Sequence, residues 1–149
     1  MTRFVSLRPA GVLLVAVAIL ALPDRASAEE RPHKSRGTAQ FVSPTDFVGS
    51  GQATHLGRYT EVGSARFSPT ADPAVLRIDA WSVYTAANGD ELYATITGRL
   101  DLLTGAITAT VAYVGGTGRF DDAGGSATLL GQILSDGTIK VAVDGTIDY

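Results

Sequence analysis

Between two alternating apolar stretches the chain carries Gly115-Gly116-Thr117-Gly118-Arg119-Phe120, and no other segment limits the fold so sharply. Glycine alone enters positive φ at little cost, so this density of glycine in a β-rich context marks a tight turn or bulge that redirects a strand. From Gly37 onward the sequence keeps to that grammar: short alternating stretches rich in Ala, Thr, Val, Ile, Tyr and Leu, split by glycine-containing turns. Such a composition belongs to strands and hairpins, and no helical apolar period competes with it.

The turns locate the strands. Asn88-Gly89 and Asp136-Gly137 are expected as type I′ hairpin turns, and Thr104-Gly105 as a third turn. They bracket strands over 75–85, 91–102, 106–114, 126–134 and 138–148, and upstream segments 38–43, 52–60 and 63–68 complete eight. The fold class is therefore all-β: a single eight-stranded antiparallel up-and-down barrel, because a meander of that length closes on itself. Side-chain parity sorts its faces. Leu92, Ala94, Ile96, Leu100 and Leu102 share one face of their strand, opposite Tyr93, Thr95, Thr97, Arg99 and Asp101. Ile139, Val141, Val143 and Ile147 repeat the pattern, so the interior is read as largely apolar.

Residues 1–28 read as an export signal. Arg3 and Arg8 precede the apolar run from Gly11 to Leu22, Pro23 breaks it, and Ala26-Ser27-Ala28 supplies a small-x-small cleavage site. The run is too short for a spanning helix, which needs about 20 apolar residues. The expected product is secreted or periplasmic, cleaved after Ala28 and with no membrane association thereafter. Residues 29–36 (EERPHKSR) are charged and aperiodic and are expected as a solvated leader, ahead of a barrel domain over 37–149. Removing the signal takes away three Arg and one Asp and leaves 9 basic and 14 acidic residues, a formal charge of −5. An acidic surface without a basic cluster argues against nucleic acid, whose binding rests on neutralising phosphates. With no cysteine and two histidines, a metal centre or thiolate chemistry is not expected either.

The run Val114-Gly115-Gly116-Thr117-Gly118-Arg119-Phe120, followed by Ala123, Gly125 and Ala127, resembles the glycine signature of dirigent proteins and, more broadly, of the allene oxide cyclase barrels. The likeness covers residues 74–149, including the Asn88-Gly89-Asp90 turn and a last strand ending in Tyr149. It implies an eight-stranded antiparallel barrel, often a homotrimer, with a hydrophobic pocket at one end and no cofactor. Such proteins steer the cyclisation or coupling of a reactive intermediate by holding it in one conformation. Plant dirigent proteins carry Arg and Tyr in an A-R-G-Y-A segment after the turn. Here Ala123-Gly124-Gly125-Ser126-Ala127 stands in that place, so the resemblance extends to the fold and not to radical coupling.

Candidate chemistry gathers in two places. Thr54-His55-Leu56-Gly57-Arg58-Tyr59-Thr60 is a dense polar and aromatic cluster. A strand running straight through Gly57 would put His55, Tyr59 and Glu61 on one face, where the imidazole could act as a general base. The other reading makes His55 an ordinary hydrogen-bonded residue of the barrel rim. His55, Arg58 and Tyr59 are the candidate catalytic residues. Tyr84 and Tyr113, on apolar faces, and Trp81 are the candidate ligand-binding residues. Arg77, Asp79 and Trp81 share a face; they either orient a ligand's polar head or lie outside as a surface ion pair beside an indole, and the more apolar opposite face favours the second placement. Gly115–Gly118 is not followed by Gly-Lys-Ser/Thr, no Gly-x-Ser-x-Gly elbow occurs, and Asp121-Asp122 lacks the further oxygens of a calcium loop. The functional expectation is a secreted barrel that binds a small apolar ligand and can guide its cofactor-free cyclisation or isomerisation. Small inward residues such as Ala94, Gly98 and Gly131 favour an open interior. The alternative is a non-catalytic extracellular barrel with a filled interior, acting by protein–protein contact.

Overall fold

A strand with one apolar and one polar face leaves two backbone edges unpaired, and a chain of consecutive hairpins satisfies both only by joining its first strand to its last. The computed structural model describes residues 29–149 and shows that closure; the expected signal segment lies outside the described residues. Among them the chain forms β1 (Arg31–Phe41), β2 (Asp46–Ala53), β3 (Gly57–Pro69), β4 (Val75–Thr85), β5 (Glu91–Asp101), β6 (Ala106–Gly116), β7 (Gly124–Ile133) and β8 (Ile139–Asp148), in one closed antiparallel barrel of sequential neighbours. β1 closes on β8 from Arg31 opposite Ile147 to Ala39 opposite Ile139.

β4 to β8 lie where the turns put them, and their inward faces follow parity: Leu92, Ala94, Ile96 and Leu100 are buried on β5, and Ile139, Val143 and Ile147 on β8. Leu102 departs from this, because it falls in the turn after β5 and is 51% exposed. The hairpin turns differ in type from the expectation. Gly89 and Gly137 have φ of +89° and +82°, whereas Asn88 and Asp136 do not enter positive φ. The Gly89 N–H donates to the Ala86 carbonyl and the Gly137 N–H to Leu134, which is a type I turn closed by a glycine bulge rather than type I′.

The first third departs further. Most of the segment expected as a solvated leader is strand β1, and it carries His33 and Ser35 into the interior. The segment 52–60 is not one strand. The chain turns over Thr54 to Leu56, with His55 at φ +71°, and separates β2 from β3.

The glycine-rich corner is a bulge at the end of β6. Leu92 pairs with Gly116 but Ala94 with Tyr113, so β6 has one residue more than β5 across this stretch, and Gly115 sits at φ +106°. The chain then crosses the barrel end. The Thr117 N–H donates to the Glu91 carbonyl at 2.8 Å, and the Glu91 N–H donates to Thr117 Oγ1 at 2.9 Å. These bonds set a short 3-10 turn, Gly118–Phe120, whose Phe120 is fully buried against Tyr149 with 5.0 Å between ring centroids. Phe120→Ala removes that plug and is expected to lower unfolding free energy by about 3–5 kcal/mol. Urea denaturation measures it, and a loss within about 0.5 kcal/mol, the size of an ordinary surface substitution, would show the corner to be only a connection.

Candidate functional site

Closure makes the inward rows of the strands the walls of a lumen, and the two halves of that wall differ. Residues from β5 to β8 are almost all apolar: Leu92, Ile96, Val111, Leu129 and Val143. Residues from β1, β3 and β4 put a line of polar groups inside: His33, Ser35, Tyr59, Glu61, Ser82 and Tyr84, all buried. Between them lies an internal cavity of about 100 Å³, touched by His33, Tyr59, Glu61, Tyr84 and Tyr113 and by apolar residues along the whole barrel.

Glycines make room for the polar line. Gly37, Gly49, Gly51 and Gly63 alternate on the inward rows of β1, β2 and β3. A Cβ at Gly37 or at Gly51 would come to 2.6 Å from the Tyr59 hydroxyl oxygen, and one at Gly49 to 2.9 Å from Glu61 Oε2. Tyr59 and Glu61 therefore lie flat across neighbouring strands, over backbone that carries no side chain.

Within the line the bonds run in pairs. Ser35 Oγ and Tyr59 Oη are 3.0 Å apart. Ser82 Oγ donates to Glu61 Oε1 at 2.6 Å, and the Tyr84 phenol lies near the same carboxyl. The Tyr59 and Tyr84 rings meet edge to face at 5.5 Å. Burial disfavours the charged form of each group. It raises the Glu61 pKa above its ordinary value, against the neighbouring Ser82 and Tyr84 hydroxyls, which favour the anion. It raises Tyr59, Tyr113 and above all Tyr84, whose phenol also faces the Glu61 charge. A carboxyl of this kind, beside a void and backed by phenols that stay protonated, suits proton transfer to or from a bound carbonyl compound.

His33 is the residue that the sequence reading placed outside the domain. It is 3% exposed, its ring meets Tyr113 edge to face at 5.2 Å, and it stacks at 6.2 Å on His55. Burial first, then the neighbouring His55, lowers its pKa to about 4.

The six expected site residues divide evenly. Tyr59, Tyr84 and Tyr113 do face the cavity. His55 sits in the β2–β3 turn and its Nε2 lies 3.0 Å from the Pro32 carbonyl, so it is a rim residue and not part of one face with Tyr59 and Glu61. Arg58 is exposed on the outer face of β3, because parity that turns Tyr59 inward turns its neighbour out. Trp81 is 51% exposed on the outside of β4, on the same face as the Arg77–Asp79 pair, whose Nε–Oδ2 distance is 2.8 Å. The sequence reading missed Ser35 and Ser82 and gave Glu61 no role of its own. Glu61 had one available signal, its parity with Tyr59.

Glu61 and His33 pull stability in opposite directions with pH. The folded His33 ring resists protonation until about pH 4 and the unfolded ring takes its proton near 6.5, so its contribution is lost as pH falls through that window. The folded Glu61 carboxyl keeps its proton to higher pH than the unfolded one, so its contribution is present at low pH and is lost as pH rises through the folded value. Glu61→Gln should therefore raise the melting temperature at neutral pH by about 4 °C, corresponding to about 1 kcal/mol, with the gain fading toward pH 4. Thermal melts across pH measure it; a gain that does not change with pH would mean that Glu61 is not held away from its ordinary pKa.

Comparison of the chain with family models, with curated proteins and with solved structures returned no match.

Proposed function

We propose that this protein is a small-molecule-binding barrel of the allene oxide cyclase and dirigent kind, which takes a slender apolar ligand into its lumen and moves a proton on it without a cofactor. The observation that carries the reading is the Glu61–Ser82–Tyr84 group beside the cavity. A barrel built only for stability has no use for a carboxyl there. The glycine bulge that ends β6 supports the family assignment, and the export signal supports a secreted or periplasmic site of action. The cavity limits the ligand. At about 100 Å³ it is smaller than the engineered apolar cavity of about 150 Å³ that holds benzene, so the ligand is thin, or it moves side chains as it enters.

Entry is at the end where Phe41 and Phe67 meet at 5.8 Å, since Phe41 is half-buried and Phe67 is 37% exposed. The opposite end is closed by Leu56 and the fully buried Phe120 and Ile147. Once ionised, the Glu61 carboxylate takes a proton from the carbon next to a bound carbonyl group. A phenol hydroxyl supports the enolate oxygen, and return of the proton to another carbon isomerises the ligand.

Hexanal is a suitable probe. The protein is expected to bind it and to speed exchange of its α-hydrogens for deuterium, read by NMR, with Glu61→Gln slowing exchange on the order of 10²-fold at unchanged binding. Binding without exchange would leave a carrier in place of an isomerase, and absence of binding would remove the reading.

One observation favours a second reading, action by contact between proteins. Val48, Val62 and Val83 are cross-strand neighbours on the outside of β2, β3 and β4, and Trp81 adjoins them; Val48, Val62 and Trp81 are 42%, 51% and 51% exposed. If copies of the chain associate there, as in the trimer that the resemblance implies, Trp81→Lys will shift sedimentation from oligomer to monomer without lowering the melting temperature. Unchanged sedimentation of the variant would remove this stripe as the contact.

A further inference from the structure

The two ends of the barrel treat their apolar loop residues in opposite ways. At the closed end Leu56 of the β2–β3 turn and Phe120 of the 3-10 turn are buried. At the end where Phe41 and Phe67 meet, Val42 of the β1–β2 turn and Leu102 and Leu103 of the β5–β6 turn stand out into solvent, Leu103 being 84% exposed. Among the described residues every exposed large apolar residue that lies in a loop is at this one end. In a closed barrel of eight sequential strands the β1–β2 and β5–β6 turns are four strands apart, so they face each other across the mouth. Phe67 of β3 stands on the rim between them. Apolar tips on both sides of an opening let the barrel rest mouth-down on an apolar phase.

We infer that the open end docks on a neutral lipid surface, with Val42, Phe67, Leu102 and Leu103 entering it, and that the carbonyl ligand is drawn from that surface into the lumen. This goes beyond the lumen-binding reading and rests on it for the direction of entry. Surface contact by loop tips needs no spanning segment, and no helix among the described residues is long and apolar enough to be one. It replaces the lack of membrane association expected from the sequence.

Charge and shape choose the surface. The four loops of this end, 42–45, 70–74, 102–105 and 134–138, hold Asp72 and Asp136 and no lysine or arginine. Both carboxylates are turned back onto their own loops, where they accept the Ala74 and Thr138 N–H groups at 2.9 Å. With no cation on these loops, an anionic headgroup finds no counter-charge there, and a zwitterionic one suits the rim. A protein partner suits it less. Four apolar side chains spread round an opening make no contiguous core, and a stable interface buries about 800 Å² on each partner. A fluid surface conforms to separate tips.

The lumen is graded in the same sense. Its lining at the mouth is apolar, with Phe41, Phe47, Phe67 and Ile139, while Glu61 and Tyr84 lie further in. An amphiphile in a lipid layer has its polar end at the surface and its chain below. It therefore leaves the layer carbonyl first, reaches Glu61 with that carbonyl, and keeps its chain among the phenylalanines of the mouth.

The chain contains no cysteine, so a single one can carry an environment-sensitive nitrobenzoxadiazole label. On the full chain, Leu103→Cys so labelled is expected to shift its emission to shorter wavelength when phosphatidylcholine vesicles are added. The same label on Asp122→Cys, at the closed end, should not shift. Leu102→Ser with Leu103→Ser should weaken vesicle binding at least about 10-fold, because two leucines no longer leave water, and should leave the melting temperature unchanged. No shift at position 103, an equal shift at position 122, or tighter binding when phosphatidylglycerol is added would each overturn the proposal. So would an oligomer, sedimenting without vesicles, that the serine variant dissolves, since the rim would then be a contact between copies. Hexanal binding in water with no shift at position 103 overturns the docking and leaves the lumen reading standing; a shift at position 103 in a barrel that binds no hexanal supports the docking and overturns the lumen reading.

Discussion

Pairing of β1 with β8 is the contact on which the rest depends. Without it the sheet has two open edges, and the inward rows are one face of a bent sheet with no lumen to enclose. The pairing also fixes register. Ser35 lies opposite Val143, and Gly37 opposite Val141, so the row that carries His33 and Ser35 faces inward; a slip of one residue would turn Lys34 and Arg36 into the core instead. Those two residues hold the register from outside. Lys34 and Arg36 are exposed, and Lys34 Nζ lies 3.1 Å from Asp144 of β8. An exposed pair of this kind contributes little to stability, but a slip that buried Lys34 and Arg36 would make the wrong register costly.

Closure alone would give a filled barrel. What opens it is the exchange of side-chain volume between strands: four glycines on the inward rows of β1 to β3 give up their space to Tyr59, Glu61 and Phe47, which lie over them. The polar line is thus built into the backbone, since each large residue requires its glycine and the reverse. The two apolar clusters of the core lie on either side of this arrangement, one around Tyr59, Tyr84 and Phe120 and a smaller one around Phe47 and Ile139.

How much was legible follows from what each strand puts inside. β4 to β8 bury Ile, Leu, Val and Ala against polar outer rows and end in glycine turns, so alternation and turn chemistry both point to them. β1 buries His33, Ser35 and Ala39, a row whose one large apolar residue, Phe41, stands at its very end, and its outer row is charged; read linearly it is a polar segment. The β2–β3 turn was hidden for a related reason. Its left-handed residue is His55 and not a glycine, so a tight turn passed as strand and the parity of His55 with Tyr59 was drawn through a corner. Of the candidate site, Tyr84 and Tyr113 were legible because they stand on apolar faces, and Tyr59 because it lies in the polar and aromatic cluster of residues 54–60. Glu61 and His33 were not, because a titratable residue inside a barrel breaks the rule by which the inside is found.

Those breaks coincide in space, and that coincidence is the strongest physical argument for a ligand. His33, Ser35, Tyr59, Glu61 and Tyr84 come from three strands and meet around one cavity. Burial moves the two titratable residues that most prefer charge in opposite directions, the imidazole down and the carboxyl up, and both shifts favour the neutral form. A lumen of leucine and valine would have been more stable and easier to fold, since replacing buried polar groups by well-packed apolar ones is commonly neutral or stabilising. Local rules broken together at one place, in a chain that keeps them elsewhere, mark a site shaped by something other than stability. Here that site is narrow, apolar along one wall and hydrogen-bonding along the other, which is the outline of a thin molecule with polar groups on one edge.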